Sequence, residues 1–149
     1  MNDALLKILQ DKDDAKAYAK TRLVAAASEF SDEYYSLIYD FAKLLKSEKS
    51  YIRTRAFILC CSQARWDDKG AIEVILPDMM MLLHDQKPTV VRQCLNAIQE
   101  VIVFRPELSG RIGEELSKID LSLYKDSMAP LIKKDIEEVR ELISEQNNR

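Results

Sequence analysis

Residues 16–22 read KAYAKTR, and 33 positions later residues 49–55 read KSYIRTR. The two stretches share Lys, Tyr, Thr and Arg at the same places, and Lys20 answers to Arg53 with the charge kept. A weaker third copy, KPTVVRQ at 87–93, begins another 38 positions on and keeps Lys87 and an apolar Val90. The segments ahead of these copies repeat as well: Leu37-Ile38 corresponds to Ile75-Leu76, and Leu44-Leu45 to Leu82-Leu83. Self-similarity at this period, with apolar residues at helical spacing, marks a unit of two antiparallel helices. One such hairpin cannot bury its own apolar faces, whereas stacked hairpins share a continuous core with atypical ends. The expected fold is all-α: a right-handed α-α superhelix, or solenoid, of about four antiparallel helix pairs in a single domain spanning 1–149. Its units run approximately over 2–29, 32–65, 70–104 and 106–146, the last degenerate in sequence.

The intervening segments agree. Short polar stretches at Gln10 to Asp13, Phe30 to Asp32, Ser47 to Lys49, Trp66 to Gly70, Asp85 to Lys87, Arg105-Pro106 and Lys118 to Asp126 divide the chain into about eight helices. Ser31 followed by Asp32 and Glu33 offers a capping oxygen and first-turn acids, and Pro106 suits a first helical position, where a missing N–H costs nothing. With only 3 Gly and 4 Pro in 149 residues, turn-rich β architectures and glycine-rich phosphate loops lose most of their support. A hydrophobic content of 47% at this length is enough for a core without disulfide or metal.

Charge narrows the function classes. Twenty-two bases stand against 25 acids, and 106–149 alone carries 10 acids and 7 bases, so the general electrostatic attraction to nucleic acid is weak. No run of 18 apolar residues occurs, and the opening MNDALLKILQDKDD lacks the order of a secretory signal, so a soluble chain with no membrane partner is expected. Cys60, Cys61 and Cys94 are odd in number and lie in apolar helical stretches, which fits free thiols in a reducing cytoplasm.

At 75–92 the string ILPDMMMLLHDQKPTVVR resembles a HEAT repeat, with Leu76, Pro77, Leu82, Leu83, Asp85, Pro88 and Val90 in the family's order and spacing. Val91 stands where the family has Arg, with Arg92 one place late; in the second unit Ile52-Arg53 matches but Ser47 holds the Asp position. In the first unit Asp14 and Ala19-Lys20 match with Lys for Arg. The resemblance implies a non-enzymatic scaffold or adaptor whose curved surface binds a protein partner. It implies too that a turn Asp and a second-helix Arg hydrogen-bond between neighbouring units.

The candidate partner-binding residues fall in two sets. Lys16 with Lys20, and Lys49 with Arg53, are pairs four apart at equivalent places in adjacent units, a column that could take phosphates, nucleic acid or an acidic peptide. Solvated charge, or the ladder between units, is the plainer role for them. Tyr18 with Arg22, and Tyr51 with Arg55, repeat on another flank, where guanidinium over phenol would order an interface or simply pack between units.

Trp66 before Asp67 invites comparison with HEAT-like glycosylases that repair alkylated DNA, and a HEAT-like chromophore lyase is the other enzymatic alternative. A hydrophobic end to the helix explains Trp66 without either. Cys60, Cys61, Cys94 and His84 lack zinc-ligand spacing, and no catalytic residue, metal or cofactor is expected. Met79-Met80-Met81 spans too much of a helix for all three side chains to be buried. The carboxyl-terminal helix, roughly Ser127 to Asn147, is expected as a terminal cap with Glu137, Glu138 and Glu141 outward and Ser144 to Arg149 frayed.

Overall fold

The computed structural model describes residues 2–148, an all-α chain of eight α-helices without strands among the described residues. These are α1 (Asn2–Leu9), α2 (Asp14–Ala27), α3 (Ile38–Leu44), α4 (Ser50–Ser62), α5 (Ala71–Met81), α6 (Pro88–Phe104), α7 (Ser109–Leu116) and α8 (Ala129–Asn147). Single 3-10 turns lead into α3 at Tyr35–Leu37 and into α7 at Pro106–Leu108, and others follow α4 at Ala64–Trp66 and α5 at Leu82–His84. Helix α8 runs through Asn147, and Arg149, the end of the stretch expected to fray, lies outside the described residues.

Local chemistry sets the boundaries. Asp13 caps α2 by accepting from the Lys16 N–H, and Pro88 occupies the first turn of α6. Gly70 enters α5 at φ 74°, the left-handed region open to glycine. The carboxylate of Asp67 then reaches forward to accept the otherwise orphaned N–H groups of Ala71 and Ile72, at 2.8 and 3.0 Å.

Packing follows the chain. Helix α1 contacts α2, α3 contacts α4, and α7 contacts α8, while the Leu82–His84 turn after α5 packs on α6. The even-numbered helices also meet in order, α2 with α4, α4 with α6, and α6 with α8, and α3 meets α5. Tyr18 and Tyr51 therefore sit on helices that touch. Helix α4 lies between two neighbours, and Ile52, Ala56, Phe57, Leu59, Cys60 and Cys61 are all buried on it. Terminal α8 buries only Ile132 and Val139, and it turns Glu137, Glu138 and Glu141 to solvent. Met79 and Met80 are core residues, whereas Met81 is 67% exposed.

Polar bonds lace each seam. At the ends of α2 and α4, Gln63 donates to Ser28 Oγ at 3.0 Å and the Trp66 indole donates to the Ser28 carbonyl at 2.6 Å. Between α4 and the turn before α6, Arg53 donates from Nε and Nη2 to Asp85 at 3.1 and 2.7 Å. That is one rung of the Arg–Asp kind the resemblance implies. Where Ser47 stands for Asp, only its backbone carbonyl serves, accepting from Arg53 at 3.0 Å. Val91 is fully buried, and Arg92 beside it reaches Asp135 of α8 at 2.6 Å instead. His84 and Glu115 share a hydrogen bond at 2.6 Å, and the Tyr124 phenol donates to the Asp85 carbonyl at 2.7 Å, tying α7 and the segment after it to the turn before α6. Among the described residues no helix is long and apolar enough to cross a membrane.

Candidate binding groove

One flank of each even-numbered helix opens onto a groove of about 750 Å³. Helix α2 contributes Tyr18, Arg22 and Ala25; α4 contributes Ile58, Cys61 and Ser62; α6 contributes Arg92, Gln93, Asn96, Ala97 and Glu100. Helix α8 closes it with Leu131, Lys134, Asp135 and Glu138. The wall charges balance, with Arg22, Arg92 and Lys134 against Glu100, Asp135 and Glu138. Several are already paired. Arg92 is chelated by Asp135, whose hydrogen bond strengthens the hold on the guanidinium proton, and Glu100 accepts from Arg65 at 3.3 Å. Burial pushes the Glu100 carboxyl above the usual range, against the opposing pull of Arg65. Arg65 also lies over the Phe104 ring, 4.4 Å from its centroid, and donates to the Glu29 carbonyl.

The two Tyr/Arg pairs form as expected, with Arg22 5.4 Å from the Tyr18 ring centroid and Arg55 4.8 Å from that of Tyr51. Their exposure differs. Tyr18 and Arg22 line the groove, and Tyr18 donates to Gln93 Oε1 at 2.6 Å. Arg55 is 1% exposed and donates to the carbonyls of Leu9 and Asp11, both at 2.9 Å, and to the Asp14 carboxylate at 3.0 Å. The expectation that Arg55 faces a partner is therefore corrected: the turn between α1 and α2 offers it acceptors that water would otherwise supply. Tyr51, beneath it, is half-buried beside Asp14, Tyr18, Ser50 and Gln93.

The expected basic column lies elsewhere. None of Lys16, Lys20, Lys49 and Arg53 borders the groove. Arg53 is bound to Asp85, and Lys16 lies 3.8 Å from Asp11. Lys49 occupies the cap position before α4, exposed, with no side-chain capping bond. Arg53 is held within the molecule, and the flank that carries Lys16, Lys20 and Lys49 is not the one that lines the groove.

Trp66 and Asp67 adjoin a separate recess with Tyr35, Phe104 and Arg105. The indole N–H is bonded to Ser28, and the Asp67 carboxylate takes four donors: the two α5 amides, Arg105, and the Tyr35 phenol at 2.6 Å. Burial first, then that bond to Asp67, pushes the Tyr35 phenol up to about 12. So fully engaged a carboxylate is a structural clasp with no free oxygen lone pair aimed at a substrate. The three cysteines are buried free thiols, and among the described residues no three His, Cys, Asp or Glu gather as a metal site.

Of the groove residues only Tyr18 and Arg22 were candidates from the sequence, and those it missed include Arg92, Gln93, Asn96, Lys134 and Glu138. Gln93 had a signal, since it stands 38 positions after Arg55 and 71 after Arg22, in the third copy of the same register. Asn96 and the α8 residues had none. No protein-family model matches the chain, and no match is found among curated proteins or solved structures.

Proposed function

We propose that this chain is a HEAT-like α-solenoid of four stacked helix pairs, acting as a non-enzymatic scaffold or adaptor that holds a segment of a partner protein in the groove. The single observation that carries the proposal is that all four even-numbered helices present one flank to one open groove. Its lining of Tyr, Arg, Asn and Gln over a floor of Ala25, Ile58 and Ala97 is interface chemistry, with a few planar anchors surrounded by complementary polar groups.

The balanced wall charge supports a polypeptide over a phosphate backbone, which would require uncompensated bases. The internal commitment of Trp66 and Asp67 supports a binding role over the glycosylase alternative. Three buried free thiols fit a reducing compartment, the cytoplasm.

The test is affinity for a partner co-purified from the native host. Asn96→Arg, which fills the groove, is expected to abolish binding, while Lys49→Glu leaves it unchanged. Loss with Lys49→Glu and steep weakening by salt, with Asn96→Arg tolerated, would overturn the groove and favour the basic surface.

A further inference from the structure

Helix α2 is apolar on two opposite faces. Ala17, Thr21, Val24 and Ser28 are buried within the molecule, while Ala19, Leu23 and Ala26, with Phe30 just beyond the helix end, face solvent. Leu23 is 65% exposed and Phe30 86%. The 33-residue register gives this outer face a counterpart: the equivalent residues of α4 are Ile52, Ala56, Leu59 and Gln63, all buried. Gln63 bonds to Ser28, so that face of α4 is the one seated on the preceding unit.

Arg22 completes the correspondence. Its counterpart Arg55 stacks on Tyr51 and inserts into the turn of the preceding unit, taking the Leu9 and Asp11 carbonyls and the Asp14 carboxylate. Arg22 holds the same pose over Tyr18, yet it is exposed and without a hydrogen-bond or ion-pair partner among the described residues. The opposite end of the molecule differs, because α8 turns charged residues outward as a capping helix does.

We infer that the outer face of α2 is a docking surface for a helical hairpin of a partner protein, one whose inter-helix turn offers backbone carbonyls and a carboxylate to Arg22. The hairpin seats its apolar side on Leu23 and Phe30, continuing the seam already built between α2 and α4. A second copy of this chain fits less well. Its α8 end is polar, and antiparallel pairing of two α2 faces centred near Leu23 sets Arg22 beside its own symmetry mate on the same flank.

The probe is the chain's own hairpin. Residues 1–33 are duplicated ahead of the full chain, which preserves the 33-residue period and places before α2 the very turn that holds Arg55. A docked hairpin raises the thermal midpoint by about 5 °C or more. Arg22→Ala and Leu23→Glu, made in the original α2, each remove most of that rise while leaving the midpoint of the unextended chain nearly unchanged. An extension that leaves the midpoint where it was, or a rise indifferent to both substitutions, overturns the proposal. Light scattering of the unextended chain is the second measurement: a dimer that Leu23→Glu converts to monomer makes a second copy the occupant and also overturns it. Asn96→Arg leaves the rise intact, so failure here and failure of the groove proposal are told apart.

Discussion

The Tyr18 phenol on α2 donates to the side-chain carbonyl of Gln93 on α6 at 2.6 Å, joining residues 75 positions apart. Both helices pack on α4, yet on this flank they come close enough to bond past it. That bond sets Tyr18 and Gln93 side by side on the groove wall.

Leu59 is fully buried on the α4 face turned toward α2. Leu59→Ala removes most of its side chain from a packed seam and is expected to cost about 2–5 kcal/mol in denaturant unfolding. A loss near zero would mean that the seam lies elsewhere.

Arg55 and Arg22 occupy equivalent positions with opposite burial. Arg55→Ala strands the Leu9 and Asp11 carbonyls and is expected to cost about 2–4 kcal/mol. Arg22→Ala should stay within about 0.5 kcal/mol. Equal losses, measured by urea titration, would contradict the asymmetry.

Tyr35 supplies an alkaline signature. Its phenol titrates at about 12 in the folded chain against 10.0 for the free group, so the folded state holds the proton more tightly. The contribution is full below pH 10.0 and is lost as pH rises toward about 12, because the unfolded chain ionises first. Tyr35→Phe should flatten stability against pH in that window and cost about 1 kcal/mol at neutral pH. A wild-type curve of unchanged slope there would rule the linkage out.

Burial pushes the Cys60, Cys61 and Cys94 thiols well above their ordinary value. Native protein should resist a thiol-specific reagent at mildly alkaline pH and label only in step with unfolding. Fast labelling of Cys61 in the native state would mean that the groove floor opens.

The all-α fold was legible because apolar residues recur at helical spacing. Ile52, Ala56 and Leu59 on α4 show it locally, and α4 reads as central because its apolar residues occupy nearly the whole circumference. The inward flank was not legible. Lys20 and Arg22 lie two residues apart, about 200° around the helix, and only the tilt between neighbouring helices decides which of them meets the groove. Nor was the burial of Arg55, since its acceptors at Leu9, Asp11 and Asp14 come from 41 to 46 positions away. Asp67 looked like chemistry beside an indole because its four donors come from Tyr35, Arg105 and the first turn of α5, which no short motif links.

The most direct test of the groove is photo-crosslinking from single positions to the co-purified partner. A photoreactive residue at Asn96, on the groove wall, is predicted to capture it in high yield, and one at the exposed Val74 on α5 or at Lys49 is predicted to capture little. Capture from Val74 or Lys49 with none from Asn96 would contradict the account.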